Sequence, residues 1–191
     1  CDIYTDVEGI YSTDPNVDYN AKKIDKISYE EMLEMASLGA KVLQTRSVEL
    51  AMKNNLALQV LSSITNKPGT MIINEKDLIE KEIVSGVSYS RNEAKITISG
   101  VPDVPGISAK IFGVLSDNNI NVDMIVQNIS QDGIKANITF TVQANDMKLS
   151  KRILEDNKSL IKYNSLSTND EVSKISVIGV GMRSQSGVAQ K

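Results

Sequence analysis

Histidine is absent from the chain, so a Ser-His-Asp triad, a Cys-His pair and imidazole metal ligands are all excluded. Chemistry is left to carboxylates, lysines, hydroxyls and backbone amides. One grouping of these stands out. The run Val104-Pro105-Gly106-Ile107-Ser108 opens an apolar-periodic helix. The first N–H groups of a helix have no intrahelical partner and can hold a carboxylate. Gly106 permits close approach to the backbone. Asp103 beside this loop and Asp123 on a following strand can each hold an ammonium, and Gln127, Asn128, Ser130 and Thr139 can complete a polar ring. An anion cradle beside carboxylates is the complement of a zwitterion. The plainer reading of the same residues is turn and cap chemistry at a sheet edge.

Such a site needs a core to position it. Hydrophobic residues make up 41% and charged residues 24% of the 191-residue chain, which suits one large or two small globular domains. With no Trp and few aromatics, the core must be built from Ile, Leu, Val, Met and Ala. The net charge of −3 argues against a nucleic-acid partner, which requires a basic stripe. No run of about 20 apolar residues offers a membrane span, so no membrane partner is expected. The single cysteine, Cys1, allows no internal disulfide and fits a reducing, cytoplasmic setting. A chain that opens on Cys rather than Met reads as a fragment or a processed product.

Residues 1–27 are rich in Asp, Asn, Gly and Pro and read as irregular, with a turn feeding a short strand near Tyr11. Ser28 followed by Glu31 is a capping box. Met32, Met35, Ala36, Val42 and Leu43 then recur at helical spacing, with Gly39 as a kink or close contact. A second helix is expected from Ser47 to Asn54, then strands over Leu56–Leu61 and Met71–Ile73. These elements form a first region, 1–73, followed by a charged linker, 74–90.

From residue 91 the pattern changes. Ala94, Ile96 and Ile98 alternate with polar residues as in a half-buried strand. Ile107, Ile111, Val114 and Leu115 line one helix face, ending at Asn118-Asn119. A strand over Val122–Ile129, a turn at Asp132-Gly133 and an alternating strand through Ala136, Ile138, Phe140 and Val142 follow. Asn145 is expected to cap a second helix, and Leu160–Leu166 to form a fourth strand. The order βαββαβ over 91–170 is a ferredoxin-like unit, its helices on one sheet face and Lys95, Thr97, Asn137, Thr139 and Thr141 on the other. Lys174-Ile175-Ser176-Val177-Ile178-Gly179-Val180 then echoes Lys95-Ile96-Thr97-Ile98-Ser99-Gly100-Val101. Residues 171–191 therefore read as the start of a second copy. Its first strand must add to the first module, pair with another chain or be poorly ordered, because a lone strand cannot bury its own face.

Two stretches carry a resemblance. The run from Thr5-Asp6-Val7-Glu8-Gly9-Ile10-Tyr11 through Asp14-Pro15, with Ile27–Met32 and Ala36–Leu43, resembles the distal part of the amino-acid-kinase domain of aspartokinases. The runs Val101-Pro102-Asp103-Val104-Pro105-Gly106 and Asn121-Val122-Asp123-Met124-Ile125-Val126-Gln127-Asn128 resemble the first of that family's two ACT modules. The resemblance implies an α/β fold: a piece of a kinase domain, a ferredoxin-like ACT module and the start of a second one.

The resemblance also implies a parent enzyme that phosphorylates aspartate with Mg-ATP at the head of lysine, threonine and methionine biosynthesis, under allosteric control by lysine and/or threonine. Thr5, Asp6 and Tyr11 match positions near the nucleotide base and ribose, and Lys41 matches one near the phosphates, where an ammonium neutralises developing charge. Asn16 stands where the family commonly has an Arg, and Gln44-Thr45 where it has His-Pro. The family's upstream phosphate strand and aspartate-binding residues have no counterpart here. The chain alone is therefore expected to be inactive as a kinase, to hold no cofactor, and to act as a regulatory piece that pairs as a homodimer. The alternatives are a structural dimerisation module without ligand binding and a complete small nucleotide-binding enzyme.

Overall fold

The computed structural model describes residues 1–40, 42–78, 83–130, 134–179 and 181. Its contacts divide the chain into two compact units, Cys1–Ser90 with Ile175–Lys191, and Arg91–Lys174.

The first unit contains β1 (Asp2–Thr5), β2 (Lys26–Ser28), α1 (Tyr29–Ser37), α2 (Thr45–Lys53), β3 (Leu58–Ser62) and β4 (Thr70–Ile73), with the sheet order β1-β3-β4-β2. The N-terminal 27 residues are thus not wholly irregular. β1 runs parallel to β3, Asp2 opposite Gln59 and Thr5 opposite Ser62, and that pairing depends on partners too distant for local pattern to reveal. The capping box forms as the spacing requires. Ser28 Oγ accepts the Glu31 N–H at 3.1 Å, and the Ser28 N–H donates to Glu31 Oε2 at 3.2 Å. Helix α1 ends at Ser37, however, and does not continue to Val42 and Leu43. Gly39 stands where a Cβ would lie 2.9 Å from the Tyr89 carbonyl oxygen, so the chain turns there in close contact. Ile10, Ile27, Met32, Met35, Val48, Val60 and Ile72 form the buried core.

Among its described residues, the stretch expected as a linker carries a 3-10 turn at Glu75–Asp77 and the start of a long strand, β5 (Gly86–Pro102). The second unit continues with α3 (Ile107–Ser116), β6 (Asp123–Ile129), β7 (Lys135–Gln143), α4 (Met147–Asp156), the short α5 (Lys158–Ile161) and β8 (Ser165–Ile178). Its sheet has the order β6-β7-β5-β8, the ferredoxin-like arrangement. Ile96, Ile98, Ile111, Leu115, Ile138, Phe140 and Leu154 are fully buried on the helix-covered side. Phe112 meets Phe140 edge to face, with centroids 5.4 Å apart. On the other face the hydroxyls of Thr97 and Thr139 lie 3.0 Å apart.

Three local expectations are corrected. Asn145 does not cap α4; it lies in a 3-10 turn, Ala144–Asp146, and Asp146 precedes the helix. The segment 158–161 is helical, and the fourth strand begins only at Ser165. Finally, the strand expected to end at Leu166 and the one restarting at Lys174 are a single strand, so the restarted pattern adds to the first module's sheet, the first of the three alternatives. β8 passes through Asn169-Asp170-Glu171 to Ile178, where the Ser85 N–H donates to the Ile178 carbonyl at 2.8 Å. The Asp132-Gly133 turn, Lys41 and residues 182–191 fall outside the described residues. Among those described, no helix is long and apolar enough to cross a membrane.

Candidate functional site

The sensing residues fall into two groups within the second unit. At the carboxyl end of β5, Pro105 and Gly106 form the turn that opens α3. Gly106 is left-handed, φ 87°, as the residue preceding the helix, and no side chain caps the helix there, although the Ile107 N–H donates to the Val104 carbonyl at 3.2 Å. A Cβ built at Gly106 would meet nothing within 4 Å, so the space above this backbone is open. The Asp103 N–H donates to the Ile134 carbonyl at 3.0 Å, and Gln127 Nε2 donates to Asp103 Oδ1 at 3.3 Å. Asn128 lies opposite Asn137. Ser130 closes the β6–β7 connection, its Oγ donating to the Lys135 carbonyl at 2.6 Å. Asp103 and Gln127 are thus joined beside the turn that opens α3, while Asn128 and Ser130 follow further along the β6 end.

Asp123 does not join them. It begins β6 opposite Thr141, four residues before Gln127, hence about 13 Å from it along an extended strand. Two residues, Met124 and Ile125, oppose the single Phe140 between the flanking pairs, which makes a β-bulge. Met124 sits there with a left-handed φ of 47°, a conformation costing a non-glycine residue on the order of 1–2 kcal/mol. The bulge aims Asp123 across the helix-free face. Asp123 Oδ1 accepts the Met124 N–H at 2.8 Å, Thr141 Oγ1 donates to the Asp123 carbonyl at 3.2 Å, and Asp123 Oδ2 receives the Lys174 ammonium in a short contact. Lys174 Nζ also lies 3.5 Å from Glu93 Oε1. The Lys174 and Glu93 side chains are only 11% and 12% exposed, while that of Asp123 is 61% exposed.

The hydrogen bond from Lys174, aided by the Met124 N–H and opposed by partial burial, holds the Asp123 carboxyl below the usual carboxylate range. Burial disfavours the Lys174 ammonium, but the bond to Asp123 and the charges of Glu93 and Asp123 outweigh it and raise its pKa. Beside this cluster a groove of about 230 Å³ is lined by residues that include Met124, Val126, Thr139, Thr141, Val172 and Lys174. Thr139 thus faces the groove rather than the helix N-terminus. Reading the sequence alone misses Glu93 and Lys174. Glu93 lies in no recognisable motif, Lys174 stands only as the first residue of the repeated run, and only the pairing of β8 into the sheet brings them to Asp123.

In the first unit, Thr5 and Asp6 stand at the carboxyl end of β1, where open α/β sheets place ligands. Thr5 Oγ1 donates to Asp6 Oδ1 at 3.0 Å. Tyr11 is further on, bridged to Lys23. Asn16 turns inward on its own loop, its N–H bonded to Asp14 Oδ1 at 2.8 Å, and Gln44 precedes α2.

Comparison with known proteins agrees with both halves. The amino acid kinase family model matches residues 1–62 and an ACT domain model matches residues 96–157. An aspartate kinase of Pseudomonas fluorescens is 50% identical over the full length of this chain. The chain belongs to the aspartokinase family. It spans about half the length of the curated relatives it matches, 46% of the Pseudomonas protein. Among solved structures, Escherichia coli aspartokinase III in complex with aspartate and ADP matches 99% of the chain and is itself 42% covered, with a TM-score of 0.81 and 28% identity. The same enzyme in complex with lysine and aspartate matches 93% and is 39% covered, with a TM-score of 0.75 and 28% identity.

Proposed function

We propose that the Arg91–Lys174 unit is the amino-acid-sensing part of a cytoplasmic aspartate kinase, that its effector is lysine and/or threonine, and that the site is completed by a second copy of the chain. The observation that carries this reading is the separation of the two polar groups along an edge strand. β6 lies at the edge of the sheet with every residue exposed, and an open edge is a template for pairing. Pairing two copies antiparallel about a two-fold axis near Val126 brings Asp123 of one copy beside the Gln127–Ser130 end of the other. The amides at Gly106 and Ser108 then hold the effector carboxylate, Ile107 lying between them with its own N–H on the Val104 carbonyl, and Asp123 across the interface holds its ammonium. The neighbour solved with lysine supports that choice of ligand.

In the first unit, Thr5 and Asp6 fit the base and ribose end of a nucleotide, with Tyr11 and Lys41 assigned by family resemblance. Mg-ATP, when bound, supplies the phosphoryl group for aspartate in the whole enzyme. The polar carboxyl end of β1 supports this fit. Effector binding shifts the equilibrium between two arrangements of the enzyme by its differential affinity for them.

Calorimetric titration with lysine and threonine, each alone and with the other present, tests the reading. Saturable heat that is lost in Asp103→Ala and Asp123→Ala supports it. Dimerisation with no heat from either amino acid favours a purely structural module.

A further inference from the structure

We infer that Lys174 is an internal cation that occupies Asp123 until an effector ammonium replaces it, with Glu93 as the partner to which Lys174 retreats. The inference rests on the effector reading of Asp123. Both Asp123 oxygens are engaged in the unliganded chain, Oδ1 by the Met124 N–H and Oδ2 by the Lys174 ammonium. An arriving ammonium must therefore share or displace Lys174. The contacts of the cluster favour displacement. One ammonium serves two carboxylates there, while Lys95 is a further cation lining the groove, which Met124, Val126 and Val172 also wall.

Adding one ligand cation resolves these contacts into two neutral pairs, ligand with Asp123 and Lys174 with Glu93. Exposure sets the direction of the exchange. Lys174 and Glu93 are nearly buried, so they stay together, while Asp123 presents 61% of its side chain to an incoming group.

The affinity of the 191-residue chain for lysine and threonine by calorimetry, in wild type and three variants, separates this role from a structural one. Lys174→Met leaves Asp123 without its internal competitor and is expected to tighten binding about two- to fivefold, the scale of a partly exposed ion pair. Glu93→Gln removes the retreat and is expected to weaken binding by a similar factor. The double variant Lys174→Met, Glu93→Gln avoids stranding a buried carboxylate and is expected to bind at least as tightly as wild type, with a melting temperature to confirm folding. A merely structural cluster would weaken binding in every variant, and that outcome, or no change in any, overturns the inference while leaving the effector reading intact. Failure of the wild-type chain to bind either amino acid instead refutes the effector reading, and this inference falls with it.

Discussion

Replacing Gly106 by alanine separates the cost of a backbone conformation from the cost of blocking a ligand. Gly106 has φ 87°, and a Cβ there meets nothing within 4 Å. The whole penalty to the fold is therefore the left-handed conformation, about 1–2 kcal/mol. In a domain of this size, 1 kcal/mol lowers the melting temperature by roughly 4–8 °C, so Gly106→Ala should stay folded at 25 °C with a drop of about 4–15 °C. Gly100 provides the contrast. It has φ 72°, and its Cβ would lie 2.4 Å from Asn164 Nδ2 and 2.8 Å from Asn164 Cβ, so steric overlap adds to the backbone cost. Gly100→Ala should therefore melt lower than Gly106→Ala. Effector affinity should show the reverse order. A methyl group at Gly106 fills the open space above the α3 amides and should weaken lysine or threonine binding more than tenfold, by analogy with a lost charge-assisted hydrogen bond of about 1.5–3 kcal/mol. Gly100→Ala should bind normally in whatever fraction is folded. Scanning calorimetry gives the first order and titration calorimetry the second. Unchanged effector affinity in Gly106→Ala would refute the assignment of the cradle.

Other consequences follow from the same contacts. Ser28→Ala removes the capping box and should cost about 1 kcal/mol in urea denaturation; a change under a few tenths would mean the cap is replaced. Phe140→Ala deletes the largest fully buried side chain of the second unit and should cost about 3–5 kcal/mol, measured by the same assay. Ile125→Lys, at an exposed position of β6, should weaken self-association by more than about tenfold in sedimentation velocity without lowering the melting temperature. The Asp123–Lys174 contact also predicts a pH signature. Because the folded Asp123 pKa is depressed, its stabilising contribution is present above the unfolded value near 3.8 and fades as pH falls through the lower folded value. Because the Lys174 pKa is raised, its contribution is complete below 10.5 and fades only above that. Acid-side loss of stability should shrink in Asp123→Asn, and identical acid titrations would contradict the pairing.

Much of this was readable in the residues because short-range physics sets it. Ser28 and Glu31 announce the start of α1, Ile96 and Ile98 announce the buried face of β5, and Pro105-Gly106 announces the opening of α3. What escaped depends on long-range pairing. β1 exists because Asp2–Thr5 lie beside Gln59–Ser62, and no window around residue 3 contains that information. β8 continues through Asn169-Asp170-Glu171 beside β5, a strand of 17 residues, and the polar residue types there do not reveal that pairing. The candidate site divides in the same way. The chemistry of Asp103, Gly106 and Asp123 is visible from residue type. The bulge at Met124 that turns Asp123 away, and the Lys174 and Glu93 that meet it, arise only once four strands are in register.

The most direct test of the shared site is complementation between two variants that each break a different half. Asp123→Ala and Gly106→Ala should each fail to bind the effector alone. Mixed in equal amounts and allowed to exchange partners, half of the dimers carry both variants, and each of those has one site with an intact cradle facing an intact Asp123 across the interface. The account predicts that effector binding returns to about one quarter of the wild-type stoichiometry at near wild-type affinity. No recovery in a mixture shown to form mixed dimers would contradict it and would confine the site to a single chain.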